Sequence, residues 1–124
     1  MADHGELSYE IVGAAMRVHN SLGPGLREKP YENALIIELK EAKIRAIQQK
    51  PYPILHRGKT VGDCIPDITV SSEILVEIKS VENLGDSERA QVLNYLRISG
   101  LELGLLINFK GPRLEVERLV RSHF

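Results

Sequence analysis

Residues 65–79, which read IPDITVSSEILVEIK, predict two short antiparallel strands joined by a polar turn. Because successive side chains of a strand alternate between its two faces, Glu77 and Lys79 share one face, and the aliphatic residues beside them occupy the other. One interpretation of this face is an ordinary solvated surface, since an antiparallel sheet often has one wet side. The other interpretation is a functional site that uses both charges.

The length of the turn decides what lies opposite Glu77. If residues 71–73 form a three-residue turn, Val70 faces Ile74 and Asp67 faces Glu77. Directly opposed residues have Cβ atoms about 4.5–5.5 Å apart, and two carboxylates at that distance repel unless a proton or a cation lies between them. A hard divalent cation with oxygen ligands is one solution, and the neighbouring lysine is compatible with phosphoryl chemistry.

Composition limits the classes of protein to which the chain can belong. With 124 residues, 43% of them hydrophobic and 27% charged, it fits one soluble globular domain. A net charge of −1 argues against coating nucleic acid through bulk charge, but it allows a local basic rim. The single cysteine, Cys64, excludes an intrachain disulfide and favours a cytoplasmic setting. No signal-peptide pattern or membrane span of ~20 apolar residues is expected.

The spacing of apolar residues predicts two helices, several antiparallel strands, a helix and two strands, in that order. Ser8 is the expected N-cap of the first helix. The apolar run 103–109 is typical of a strand buried on both faces, and it can lie parallel to strand 73–79 with a crossover helix between them. The predicted elements are helices over 8–22, 30–43 and 87–99, and strands over 44–49, 52–56, 60–64 continuing as one bent strand into 67–70, 73–79, 103–109 and 114–120.

Three further polar residues are candidates for the same site. Glu28 starts the second helix, where it is either a first-turn acid favoured by the helix dipole or a third carboxylate for a metal. Gln91 and Tyr95 are four residues apart, so they share one face of the third helix. They are either half-buried residues at the edge of an apolar stripe or hydrogen-bonding partners of Lys79, of a water or of a phosphate.

These residues, in this order and spacing, resemble the signature of the PD-(D/E)XK nuclease superfamily and specifically of its small GxxExxY family. The resemblance covers about residues 8–118. One departure is Pro30, which stands where small or apolar residues are usual and affects how Glu28 is presented. The matching positions are Gly25, Glu28 and Tyr31, then Pro66-Asp67 with Glu77-Ile78-Lys79, then Gln91 with Tyr95.

The resemblance implies an α/β, restriction-endonuclease-like fold, with a mixed β-sheet flanked by helices in a single domain over 1–124 and a core over about 8–120. It implies Mg²⁺-dependent phosphodiester hydrolysis, with Mn²⁺ as a substitute ion and DNA favoured over RNA as substrate. The alternative is a nucleic-acid-binding or partner-docking module that keeps the fold without cutting. The sequence leaves open whether the chain forms a homodimer.

The resemblance also implies a role for each candidate residue. Asp67, Glu77 and the carbonyl of Ile78 are the expected metal ligands, and Glu28 is expected to reach the same ion or a second one. Lys79 is expected to assist the attacking water, and the catalytic set is completed by Gln91 and Tyr95, which would position Lys79 or the phosphate.

Overall fold

A computed structural model describes residues 4–121, and within that range three helices and seven strands form. The helices are α1 (Gly5–Leu22), α2 (Glu28–Glu41) and α3 (Asp86–Ser99). The strands are β1 (Ala46–Gln48), β2 (Tyr52–His56), β3 (Lys59–Cys64), β4 (Ile68–Val70), β5 (Ile74–Lys79), β6 (Leu103–Asn108) and β7 (Glu115–Val120).

Five of these strands form the main sheet, in the order β1-β4-β5-β6-β7. β5 and β6 are parallel and α3 connects them, while the other neighbouring strands are antiparallel. Val70 pairs with Ile74 across a turn made by residues 71–73, as the sequence predicts. The predicted mixed sheet, its hairpin and its parallel crossover are therefore confirmed.

The two faces of β5 contact different helices. Ile74, Val76 and Ile78 belong to the large core that α1 and α2 cover. Leu75 belongs to a smaller core with Val92 and other residues of α3. Full burial of such a side chain contributes about 1.5–3 kcal/mol, so this alternation fixes which face of β5 meets α3. Glu77 and Lys79 follow Leu75 on the α3 face.

Two local predictions are wrong. Ser8 is not an N-cap, because α1 already begins at Gly5 and the Ser8 hydroxyl donates to the Gly5 carbonyl inside the helix. The predicted single bent strand is two strands in different sheets: β3 pairs with β2 in a separate hairpin, and β4 pairs with β1 and β5. Pro66 lies in the break, where its missing N–H cannot join a strand ladder.

No helix within residues 4–121 is long and apolar enough to cross a membrane.

Candidate functional site

Asp67 and Glu77 form an acidic pair at the end of the β4–β5 hairpin. The register of the hairpin brings them opposite each other, and the backbone N–H of Asp67 donates to Glu77 Oε1 at 2.7 Å. The backbone N–H of Ile78 donates to Asp67 Oδ2 at 2.8 Å. Each carboxylate is therefore oriented by the main chain of the opposing strand. The other oxygens, Asp67 Oδ1 and Glu77 Oε2, accept no hydrogen bond from residues 4–121.

The acidic pair has little exposure to solvent. Glu77 is only 4% exposed, and Asp67 is half-buried. Burial first, and then the charge of Asp67, raises the pKa of Glu77 from 4.5 to about 8. Burial also raises the pKa of Asp67, although the hydrogen bond from Ile78 opposes this shift. Two desolvated carboxylates that face each other favour the uptake of a proton or a cation.

A chain of side-chain hydrogen bonds lies beside the acidic pair. Lys79 Nζ donates to Gln91 Oε1 at 2.8 Å, and Gln91 Nε2 donates to the Tyr95 hydroxyl at 3.1 Å. Burial, followed by the charge of Glu77, raises the pKa of Tyr95, so its phenol stays protonated. Because the Tyr95 oxygen accepts from Gln91, its hydrogen is available to another acceptor. The predicted link from Lys79 to α3 is present.

The segment before α2 is fastened to the segment after β5. Tyr31 is fully buried, and its hydroxyl donates to the Gly23 carbonyl at 2.6 Å and accepts the Leu26 N–H at 3.0 Å. The Ser80 hydroxyl donates to the Leu26 carbonyl at 2.6 Å, and the Ser80 N–H donates to Glu28 Oε2 at 3.1 Å. The Gly25–Tyr31 motif therefore shapes a loop that holds Glu28 next to the end of β5.

The carboxylate of Glu28 does not join the acidic pair in this geometry. It is exposed and turned toward Ser80, and its charge makes a small contribution to the raised pKa of Asp67, well behind burial. Within residues 4–121, no group of three or more His, Cys, Asp or Glu side chains is arranged to hold a metal ion. Pro30 lies in the first turn of α2, which a proline tolerates because its N–H has no helical partner there.

Glu32 is a buried acid that the sequence analysis missed. It is 2% exposed and accepts hydrogen bonds from Lys29 Nζ at 3.1 Å, Gln48 Nε2 at 2.8 Å and Gln49 Nε2 at 3.0 Å. After burial, its charge is among the influences that raise the pKa values of Asp67 and Glu77. Its burial could have been predicted, because Glu32 precedes Leu35, Ile36 and Leu39 at helical spacing on the buried face of α2.

Asn108 is a second residue that was missed. It pairs with Lys79 across β5 and β6, and it is 1% exposed. Its amide brackets the backbone of Val81, accepting the Val81 N–H at 3.0 Å and donating to the Val81 carbonyl at 2.8 Å. Asn108 therefore fixes the segment that directly follows Lys79. The signal was an amide at the end of an otherwise apolar run.

Comparisons with known proteins place this geometry in a family. Residues 5–119 match the model of the PD-(D/E)XK nuclease superfamily. No curated protein sequence matches the chain significantly. The solved structure of SSO0001 is similar, with a TM-score of 0.59, 19% identity, and coverage of 75% of this chain and 49% of the other. An alkaline exonuclease from Laribacter hongkongensis gives a TM-score of 0.57, 14% identity, and coverage of 76% and 55%.

This chain therefore spans about half the length of each of these two solved structures. The similarity confirms the predicted restriction-endonuclease-like arrangement of a mixed sheet flanked by helices.

Proposed function

Because the chain belongs to the PD-(D/E)XK nuclease superfamily, we propose that it is a metal-dependent nuclease that hydrolyses phosphodiester bonds of nucleic acid. The observation that carries the proposal is the pair of opposed carboxylates, the buried Glu77 and the half-buried Asp67, next to Lys79. We further assign the chain to the GxxExxY group, with one nuclease domain over residues 1–124 whose core spans about 8–120, and with DNA as the preferred substrate. The lone buried thiol of Cys64 favours the reducing cytoplasm as its setting.

The donor set of the pair fits a hard divalent cation. Both carboxylates are oriented by backbone N–H groups, and each keeps one oxygen without a hydrogen bond from residues 4–121. Mg²⁺ suits so few protein ligands because it keeps several waters in its shell, and Mn²⁺ prefers similar oxygen donors. Asp67 and Glu77 would hold the ion, with the Ile78 carbonyl as a further ligand. Glu28 would be a further ligand of this ion or of a second one, for which its carboxylate would have to leave the Ser80 N–H.

The remaining residues would act on the water and the phosphate. A bound Mg²⁺ supplies a water of lowered pKa and offsets charge on the scissile phosphate. Lys79 would orient that water and neutralise developing negative charge, since Gln91 already fixes its ammonium group. Tyr95 would hold Gln91 in place and direct its free hydroxyl hydrogen at a phosphate oxygen.

A nucleic-acid-binding module that does not cut is the second candidate. The position of Glu28 favours it, because its carboxylate accepts the Ser80 N–H and no three-acid group is assembled within residues 4–121. Calorimetric titration with Mn²⁺ separates the two candidates. A nuclease should bind the ion through Asp67 and Glu77 and lose that binding in Glu77→Gln, whereas a module that only binds nucleic acid need not take up the ion.

The direct test is cleavage of single- and double-stranded DNA and RNA with Mg²⁺ or Mn²⁺. Loss of an electrostatic stabiliser typically lowers the rate on the order of 10²–10³-fold, so Lys79→Ala should fall by about that factor. Glu77→Gln should fall at least as far. Glu41→Gln is the matched control, because it makes the same change on the exposed end of α2. Full activity in Glu77→Gln would refute the proposed site, and light scattering of the active protein would show whether it works as a homodimer.

A further inference from the structure

The β2–β3 hairpin concentrates positive charge in a chain that is acidic overall. Its stretch 50–64 contains three cations, Lys50, Arg57 and Lys59, and the single acid Asp63, while the whole chain has a net charge of −1. Arg57 and Lys59 are exposed at the hairpin tip, and their side chains make no hydrogen bond or ion pair with residues 4–121. Two neighbouring cations that the protein leaves without counter-charges suit an anionic partner.

The backbone of the tip is a tight turn. Arg57 has a φ of 52° and Gly58 a φ of 78°, the combination that defines a tight two-residue hairpin turn of type I′. The first position of such a turn favours Asn, Asp or Gly, because a larger side chain is strained at positive φ. The turn itself therefore gives no reason for an arginine.

Aliphatic side chains flank the basic tip. Leu55 is 60% exposed and Val61 is 64% exposed. The strand register passes from Ile54 opposite Gly62 to Leu55 opposite Thr60, so Val61 is the extra residue of a β-bulge and has no partner in the ladder. Bulges re-aim side chains at functional edges. Cations beside aliphatic groups match the phosphates and sugars of a nucleic-acid strand.

The hairpin connects the tip directly to the acidic pair. β3 ends at Cys64, three residues before Asp67, and the Tyr52 hydroxyl at the start of β2 hydrogen-bonds the Thr69 hydroxyl at 3.0 Å. Further along, β2 lines a groove together with Arg97 of α3. The six residues of β3, at about 3.3 Å per residue, span about 20 Å, and residues 65–66 link this strand to Asp67. That strand length corresponds to about six nucleotides of duplex at roughly 3.4 Å each.

We propose that Arg57 and Lys59 bind the phosphate backbone of the nucleic-acid substrate several nucleotides from the bond that is cut. This assignment rests on the proposed function and adds to it a substrate surface outside the acidic site. It predicts that the hairpin matters for long substrates and not for short ones.

Fluorescence anisotropy in EDTA tests the assignment without cleavage, with labelled DNA strands and duplexes of about 20 and about six nucleotides. The double variant Arg57→Asn/Lys59→Gln should bind the long probes on the order of tenfold more weakly. The negative slope of the log of the association constant against log salt should become less steep by about two. Binding of the short probes should not change. Because Arg57→Asn supplies the Asn-Gly pair that a type I′ turn favours, the variant should fold at least as stably as the wild type.

Arg113→Asn/Lys40→Gln is the matched control, because it removes the same two charges from exposed positions outside the hairpin. Its affinity for the long probes should stay near that of the wild type. If the wild type cleaves nucleic acid while the hairpin variant binds and cleaves long probes like the control, the hairpin assignment is overturned and its exposed tip is left for a protein partner. If the wild type neither binds nor cleaves any probe, the proposed function itself fails.

Discussion

Replacing Gly104 by alanine should separate α3 from the sheet and so disturb the candidate site. A Cβ added at Gly104 would lie 2.6 Å from Val92 Cγ1 and 3.6 Å from both terminal methyl groups of Leu96. Ordinary van der Waals contact begins near 3.4 Å, so Val92 or the whole helix must move by about 0.8 Å. Valine has one strongly preferred rotamer in a helix, which leaves the movement of α3 as the main response.

The size of the effect follows from two opposing contributions. Overpacking of a close-packed core costs about 1–3 kcal/mol. Replacing a strand glycine returns about 0.5–1 kcal/mol, because the unfolded chain loses conformational freedom. We therefore expect Gly104→Ala to lower the unfolding free energy by about 0.5–2 kcal/mol. Val92→Ala alone should cost about 1–3 kcal/mol, from the methyl groups it removes and the cavity that remains.

The double variant decides the cause. With Val92→Ala in place, the clash is absent and the new methyl group fills part of the cavity. The loss of unfolding free energy in Gly104→Ala/Val92→Ala should therefore be smaller than the sum of the losses in the two single variants, by about 1–3 kcal/mol. Urea unfolding of the four proteins measures this coupling. Costs that add within about 0.5 kcal/mol would refute the argument.

Nuclease activity provides an independent measurement on the same four proteins. Val92 follows Gln91, which fixes Lys79, so displacement of α3 should lengthen the Lys79–Gln91 hydrogen bond. We expect a lower rate in Gly104→Ala and partial recovery in the double variant. If the cleavage rate follows the unfolding free energy alone and does not recover in the double variant, the packing of α3 does not control the Lys79–Gln91 hydrogen bond.

In metal-free protein, the unfolding free energy should fall as pH rises from 4.5 to about 8, because the folded protein holds a proton on Glu77 that the unfolded chain has lost. Urea denaturation measures this dependence, and an unfolding free energy that changes equally with pH in the wild type and in Glu77→Gln would contradict the prediction. Tyr31→Phe removes a hydroxyl that bonds two backbone groups before α2 and should cost about 1–3 kcal/mol in the same assay, with the exposed Tyr9→Phe as a neutral control. Glu32→Gln removes a charge near the acidic pair and should lower the pKa of Glu77; an unchanged NMR titration of that carboxyl group would argue against the coupling.

The hairpin of the main sheet was predictable because its signals are local. Alternation along β5 fixes its two faces, and the turn over residues 71–73 fixes the register that brings Asp67 opposite Glu77. The spacing of Gln91 and Tyr95 on α3 predicts their shared face in the same way. The contact between Gln91 and Lys79 follows from one further step, the parallel crossover from β5 to β6.

The remaining features depend on contacts between distant segments. Residues 60–64 and 67–70 both have strand patterns, and only tertiary pairing assigns β3 to the β2–β3 hairpin and β4 to the main sheet. The sequence analysis expects Glu28 to reach the metal, but the direction of its carboxylate depends on the Ser80 N–H, which lies 52 residues further along the chain. No periodic pattern carries information about a partner at that separation.

Burial of the acids of the site destabilises the folded protein, and this is an argument that they bind a ligand. Residues 74–78 are five consecutive buried positions, and an apolar side chain in place of Glu77 would avoid the cost of desolvating a carboxyl group. Instead the chain buries Glu77 opposite Asp67 and also buries Glu32, whose charge acts on both. Backbone and side-chain amides, the ion pair from Lys29 to Glu32 and the charge of Lys79 offset only part of the cost. A cation bound between Asp67 and Glu77 would offset much of the remainder, because a nearby positive charge stabilises the ionised form of both carboxylates.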